Sequence, residues 1–429
     1  MGRGAGILQF RFGDNNVMKT ANSTLRQSSV QASSGQAGKK GGFRNVIILS
    51  IVSFLNDLSS EMIMPILPMF LESLGATGQI VGLVGGIRDG ISGLLKVLCG
   101  YWSDKTGKRK IFVYAGYGIS SVFKLLLGLS KTASGAVVFG SMERVGKGLR
   151  TAARDAIIAE SVDATNRGKS FGIHRGMDSA GAVLGAGVAF IFLQFTGLGF
   201  GAIIIISAII GLASLVPLRF VSEPEAPRQN AKLKLSLSVL PRPLKLFILV
   251  AAIFALGNFS YMFFVLRAQH LFEGHWRTTA PILLYVLFNI FYSALSIPLG
   301  VVSDKIGRQK VLIFGFGMFA VVSFGFAFCN SLVFYIILFA LYGVVFAAVD
   351  GTERALVSDL AGPDYKATAL GTYSTITGLA ALPAGIVAGF LWDKSPIYTF
   401  IFGGVTAIVS IAVFVILSPH FTAPKAIKS

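Results

Sequence analysis

The chain has 429 residues, 53% of them apolar and only 14% charged, against about 25% charged in a soluble domain. A mean hydropathy of +0.70 excludes a disordered chain, and two cysteines, Cys99 and Cys329, exclude a disulfide scaffold. In a soluble protein a formal net charge of +18, from 38 Lys and Arg against 20 Asp and Glu, would point to nucleic acid, so the placement of those charges decides their meaning.

Residues 1–45 are basic and rich in Gly, Ser and Gln, with no apolar stretch of the kind a secretory signal needs, and read as a disordered tail. Apolar runs then cover 46–71, 79–102, 111–130, 135–159, 170–195 and 200–220. Residues 221–243 hold Pro224, Pro227, Pro241 and Pro243 among mixed charges and read as a linker. Six further runs cover 244–268, 279–302, 311–329, 332–357, 367–392 and 397–417, and 419–429 forms a short tail. Each run is near the ~20 residues with which a helix crosses a bilayer. No ten-residue stretch alternates polar and apolar as a barrel strand must. The reading is an all-α membrane protein of twelve transmembrane helices in two six-helix bundles, 46–220 and 244–418.

Basic residues sort by loop. One side holds the tail, with Arg3, Arg11, Lys39, Lys40 and Arg44, and then Lys105, Lys108, Arg109 and Lys110. Arg167, Lys169, Arg219, Lys232, Lys305, Arg308 and Lys310 continue it. The opposite loops hold only Lys131, Arg267, Arg277 and Lys394. The positive-inside rule therefore places both termini in the cytoplasm, with the protein in the cell membrane. The charge reads as a topology signal, and no nucleic-acid partner is expected.

The two halves repeat each other. Gly100-Tyr-Trp-Ser-Asp104-Lys-Thr-Gly107-Lys108-Arg109-Lys110 follows the second run, and Gly300-Val-Val-Ser-Asp304-Lys-Ile-Gly307-Arg308-Gln309-Lys310 follows the eighth. Asn56 and Asn258 echo each other in the first and seventh. These residues resemble the loop signature of the major facilitator superfamily, matched twice. Arg144-Val-Gly-Lys147-Gly148 is similar to that family's Arg-x-x-x-Gly pattern. Gly181-x-x-x-Gly185 is similar to the Gly-Pro motif of its proton-coupled antiporters, with Ala186 where Pro would stand. The resemblance covers 46–418. It implies two pseudo-symmetric bundles and a secondary transporter working by alternating access, with Arg144 at a position tied to proton coupling.

The loop motif also reads in physical terms. Gly107 permits a tight turn and Gly100 a close helix approach. Asp104 and Asp304 are expected to gate the rocking of the halves, with Lys108, Arg109 and Arg308 as partners for anionic groups across the half interface or for lipid phosphate.

Nine basic residues, Arg88, Lys96, Lys124, Arg144, Lys147, Arg150, Arg154, Arg175 and Arg354, fall inside spans. Eight acids join them: Asp57, Glu61, Asp89, Glu143, Asp155, Asp178, Asp350 and Glu353. Each costs about 2.5–3.5 kcal/mol near a helix centre unless paired or hydrated. All but three lie in the first half, which predicts that the coupling machinery sits there. Asp57 and Glu61 share a helix face and suit reversible protonation; permanent pairing to an Arg of the fourth or fifth span is the alternative. Arg144, Lys147, Thr151 and Arg154 form one stripe, with Glu143 spaced to pair with Lys147. Arg175 and Asp178 are spaced as an intrahelical pair, and His174 stands beside them. No His/Cys cluster reads as a metal cage, no nucleophile–base group as an enzyme, and no Walker sequence as an ATPase, so no cofactor is expected.

The best reading is proton-coupled export of a small organic molecule, with Asp57 or Glu61 carrying the proton and Arg144 tuning it. Its expected partners are lipid, protons and a small substrate, and it is expected to act as a monomer. Uptake of an anionic metabolite through Lys147, Arg154 and Arg175 is the second reading, and a non-transporting receptor or scaffold the third.

Overall fold

The computed structural model describes residues 42–163, 166–223, 240–361 and 366–421, almost entirely as helix. Nearly all of the predicted N-terminal tail, most of the linker and the C-terminal tail from residue 422 lie outside these residues. Twelve spans follow in order. The first runs through two helices, Gly42–Ile63 and Leu67–Ser73, and the next five are Gly78–Thr106, Arg109–Gly128, Ala133–Ser161, Arg167–Phe195 and the Phe200–Ala213/Leu215–Leu218 pair. The seventh runs through Arg242–Gly257 and Met262–Gln269, followed by Trp276–Ile306, Arg308–Phe328, Leu332–Ala361, Lys366–Lys394 and Pro396–Leu417.

Two predicted helices are broken. The first span turns at Pro65, where a residue without an N–H interrupts the ladder, and the seventh turns at Asn258–Ser260. Ten helices are long and apolar enough to cross a membrane by length and composition. The second and fourth spans are not among them, because Arg88, Asp89 and Lys96 interrupt one and seven charged residues the other. Their burial is explained from the inside. Arg88, Lys124, Glu143 and Arg150 are buried while Phe195, Ile297 and Ile416 stand largely exposed, the reverse of a water-soluble protein and the arrangement lipid requires.

Within the first half the first span packs on the fifth and sixth, the third on the fourth and sixth, and the second on the fourth. The second half repeats every pairing six spans on: the seventh on the eleventh and twelfth, the ninth on the tenth and twelfth, the eighth on the tenth. Duplication in sequence is thus a pseudo-twofold in space. The halves meet where the second span lies on the eleventh and the fifth on the eighth.

The first of these contacts is made by backbone. Gly78, Gly82, Gly86 and Gly90 recur every four residues on the second span and face Gly389, Gly385 and Gly378 on the eleventh. A Cβ on Gly82 would overlap the Gly385 carbonyl, and one on Gly385 the Gly82 carbonyl. Small residues are what let two helices approach this closely in lipid.

Candidate functional site

The motif loops fold as expected locally. Gly107 and Gly307 take φ of +68° and +100°, which a side chain would resist. A Cβ on Gly100 would come 3.1 Å from Ala152, so Gly100 admits the fourth span. Arg109 bridges Asp104 at 2.9 Å and also Glu160, at the end of the fourth span. Arg308 bridges Asp304 at 3.0 Å and also Asp359, near the end of the tenth. Both braces lie inside their own half, whereas contacts across the half interface were expected. Lys108 precedes the third span without a side-chain cap, and Gly300 has open space around it. Sequence reasoning missed Glu160 and Asp359; the signal was an acid at matching ends of two repeated spans.

The membrane charges fall into two layers. In the layer farther from the termini, Glu143 Oε2 stands 3.3 Å from both Arg88 Nη2 and Arg144 Nε, and Ser120 donates to its other oxygen at 3.2 Å. The expected Glu143–Lys147 pair does not form, because the second span brings Arg88 closer. Arg144 also donates to Met64 Sδ at 2.8 Å, and Tyr261 from the second half donates to the Met64 carbonyl at 3.0 Å. Lys124 is fully buried and held by the hydroxyls of Ser59 and Ser60, both at 2.9 Å.

Glu61 faces this layer. It accepts a hydrogen bond from the Tyr285 hydroxyl of the eighth span at 3.0 Å, across the half interface, and Lys147, Asp57 and Arg144 are its charged neighbours. Neither Asp57 nor Glu61 is paired to an Arg among the described residues, so the permanent-pairing alternative is not what the structure holds. The Gly181-x-x-x-Gly185 motif explains how the first span is seated. A Cβ on Gly181 would meet the Phe54 carbonyl at 2.6 Å, and one on Gly185 would meet the Leu58 carbonyl and the Glu61 Cβ. The fifth span's bare backbone therefore presses on the first beside both acids. Asn56 is buried here, with neither side-chain atom hydrogen-bonded among the described residues.

The layer nearer the termini begins one to two turns further along. Arg154 donates twice to Asp155, at 2.9 and 3.0 Å, and once to Ser53 at 2.8 Å. Asp178 lies 3.6 Å from His174 Nε2, too far for a hydrogen bond, and the predicted Arg175–Asp178 pair does not form among the described residues. Arg354 pairs with Asp350 at 2.7 Å, and Tyr292 donates to the same carboxylate at 3.3 Å. Arg175 and Lys96 are exposed and make no ion pair among the described residues. Glu353, buried one residue from Arg354, takes its hydrogen bond from Tyr373 instead.

Among the described residues, the hydrogen bonds and ion pairs seen between the halves lie on the side away from the termini. Asp393, ending the eleventh span, accepts from the backbone N–H groups of Gly78 at 2.6 Å and Gln79 at 3.1 Å. Gln269 donates to Glu72 at 2.8 Å, Arg277 stands 3.9 Å from the same carboxylate, and Tyr261 and Tyr285 add their bonds to Met64 and Glu61. The far side is closed.

The sequence model of the Major Facilitator Superfamily matches residues 49–280 and again 249–428. An uncharacterised MFS-type transporter of Methanocaldococcus jannaschii is 52% identical over 371 residues, which is 86% of this chain and 93% of that protein. Multidrug resistance protein 1 of Bacillus subtilis is 23% identical over 393 residues, 88% of this chain and 96% of that protein. Among solved structures, the nucleoside transporter NupG superposes with a TM-score of 0.71 over 89% of this chain and 100% of its own, at 14% identity. The POT family transporter PepTSo superposes with a TM-score of 0.72 over 88% of this chain and 98% of its own, at 13% identity. At those identities the likeness is one of fold.

Proposed function

This chain belongs to the major facilitator superfamily and is a multi-pass membrane transporter of a small molecule; from that premise we propose that it is a proton-coupled exporter in which Glu61 carries the proton. The observation that carries this is the Glu61–Tyr285 hydrogen bond, which ties an intramembrane carboxyl in one half to a hydroxyl in the other. When the far side opens, the halves part there and the bond must break, so Glu61 meets far-side water in that state and, partly exposed as it is here, delivers its proton toward the open side in the other. A carboxyl with that alternating exposure takes up and releases its proton in step with the rocking. Asp57, one turn away on the same face, and Lys147 share its field, so the proton belongs to the group rather than to Glu61 in isolation. Arg144, bound to Glu143 and close to Glu61, sets the potential in which that exchange happens.

Export as the direction is supported by the likeness to a multidrug resistance protein and by the antiporter-like glycine pair that seats the first span. On this reading the termini are cytoplasmic, and the structure is the state in which substrate enters from the cytoplasm.

The test is dye movement in proteoliposomes under an imposed pH gradient, with carboxyfluorescein and ethidium as the anionic and cationic probes. Wild-type protein is expected to move one of them faster when the gradient is present, and Glu61→Gln to lose that acceleration. Gradient-independent movement by the wild type, or full acceleration by Glu61→Gln, would refute proton coupling through Glu61.

A further inference from the structure

Lys96 and Arg175 are the feature that the proton machinery leaves unused. Lys96 sits on the second span seven residues, or about 10 Å of helical rise, from Asp89, toward the open side. The charges whose field it feels are Arg354, Asp155, Arg154 and Arg175, which come from the tenth, fourth and fifth spans. Charges of both halves thus lie within electrostatic reach of Lys96, on a span that packs against the fourth in its own half and the eleventh in the other.

Two carboxylates nearby are already engaged: Asp155 is doubly bonded to Arg154, and Asp350 is bonded to Arg354 and Tyr292. The third, Asp178, lies 3.6 Å from His174 and forms no ion pair with Arg175 among the described residues. What remains is two exposed cations, Lys96 and Arg175, with no carboxylate of their own, and Arg354 half exposed beside them. A cation inside a membrane protein without a partner is costly and marks a ligand pathway. Glu61, the acid proposed to carry the proton, faces the other layer, so a bound anion here would not contend with it for a place. The repeat sharpens the point, since Ser296 occupies in the second half the position that Lys96 holds in the first. The fold does not require a lysine there.

We infer that Lys96 and Arg175, with Arg354, form the substrate site of this transporter and that its substrate is a small organic anion bearing two or more negative charges, as carboxylates or phosphates. The guanidinium of Arg175 supplies a planar fork for one anionic group and the Lys96 ammonium a point charge for another. Both are contributed by the first half, while Arg354 comes from the second, so a bound anion bridges the two and lowers the cost of bringing them together on the open side. The identity of the substrate rests on the transporter reading, but binding does not depend on a gradient.

The experiment is thermal unfolding of the full-length protein in detergent at constant ionic strength, titrated with citrate or inorganic pyrophosphate, with acetate and mannitol as controls. A ligand that binds the folded state raises its stability as its concentration passes Kd. Citrate, pyrophosphate or both are expected to raise Tm saturably while acetate and mannitol do not, and the tighter of the two identifies carboxylate or phosphate as the recognised group. Lys96→Gln and Arg175→Gln should each weaken binding at least tenfold, Lys96→Arg less than threefold, and the loop variant Lys131→Gln not at all. Saturable stabilisation by neither polyanion, or unchanged Kd in Lys96→Gln and Arg175→Gln, overturns the site. Glu61→Gln should bind the anion like the wild type. Loss of gradient dependence by that variant tests proton coupling separately, so one reading can fail while the other stands.

Discussion

Asp393 Oδ1 accepts the backbone N–H of Gly78 at 2.6 Å, so the last turn of the eleventh span caps the first turn of the second. A carboxylate at a helix N-terminus satisfies N–H groups that have no intrahelical partner and complements the helix dipole. Here donor and acceptor belong to different halves, and the cap doubles as a latch on the far side.

Replacing that latch should therefore shift the conformational balance more than the fold. Asp393→Ala is expected to favour far-side opening by about 1–2 kcal/mol, the usual size of a lost N-cap. Accessibility of a cysteine introduced at Gln269 to an impermeant maleimide would measure it, with faster labelling as the expected outcome and an unchanged rate as the refutation.

The glycine seam gives a prediction of opposite kind. Gly82→Val puts branched carbons where the Gly385 carbonyl lies, so the far side cannot close and transport should stop with the helical content intact. Gly118→Val, at a glycine with open space around it, should be tolerated. Circular dichroism and dye transport together separate this outcome from simple misfolding.

Glu143 is the most exacting of the buried charges. It is the carboxylate between Arg88 and Arg144, and its removal leaves two cations in a dry layer. Breaking such a pair from one side costs about 3–5 kcal/mol, so Glu143→Gln should lower Tm steeply or prevent accumulation of folded protein. A Tm within a degree or two of wild type would show that water or another acid reaches these arginines.

The two motif braces should not be equal. Arg109 is nearly buried, with its side chain 6% exposed, whereas Arg308 is 25% exposed and its partners are more than half exposed. Solvent screens the second set more strongly. Arg109→Ala should therefore cost more thermal stability than Arg308→Ala; equal losses would mean that burial does not set the strength of these bridges.

Much of this architecture is legible in the sequence: twelve apolar runs, the repeat at Asp104 and Asp304, and the gathering of charge in the first half. The breaks at Pro65 and Asn258 carry a local signal that an apolar-run reading passes over. The choice of partners is not legible. Spacing offers Glu143 to Lys147 and Asp178 to Arg175, yet Glu143 meets Arg88 and Arg144, and Asp178 meets His174. Helical spacing says which side chains share a face; the approach of the second span decides the partners of Glu143, and for Asp178 the choice falls between two neighbours on its own helix. Glu160 and Asp393 escaped because each acts on a residue of a distant span.

The braces at Arg109 and Arg308 have a mechanical meaning. Each closes a triangle among three consecutive spans within one half, and a triangulated corner transmits rotation without shearing. Every bond they make lies within one half, so parting of the halves at the seam does not have to break it. A ligand then has only to tilt a balance at the seam, and no energy is spent remaking the frame.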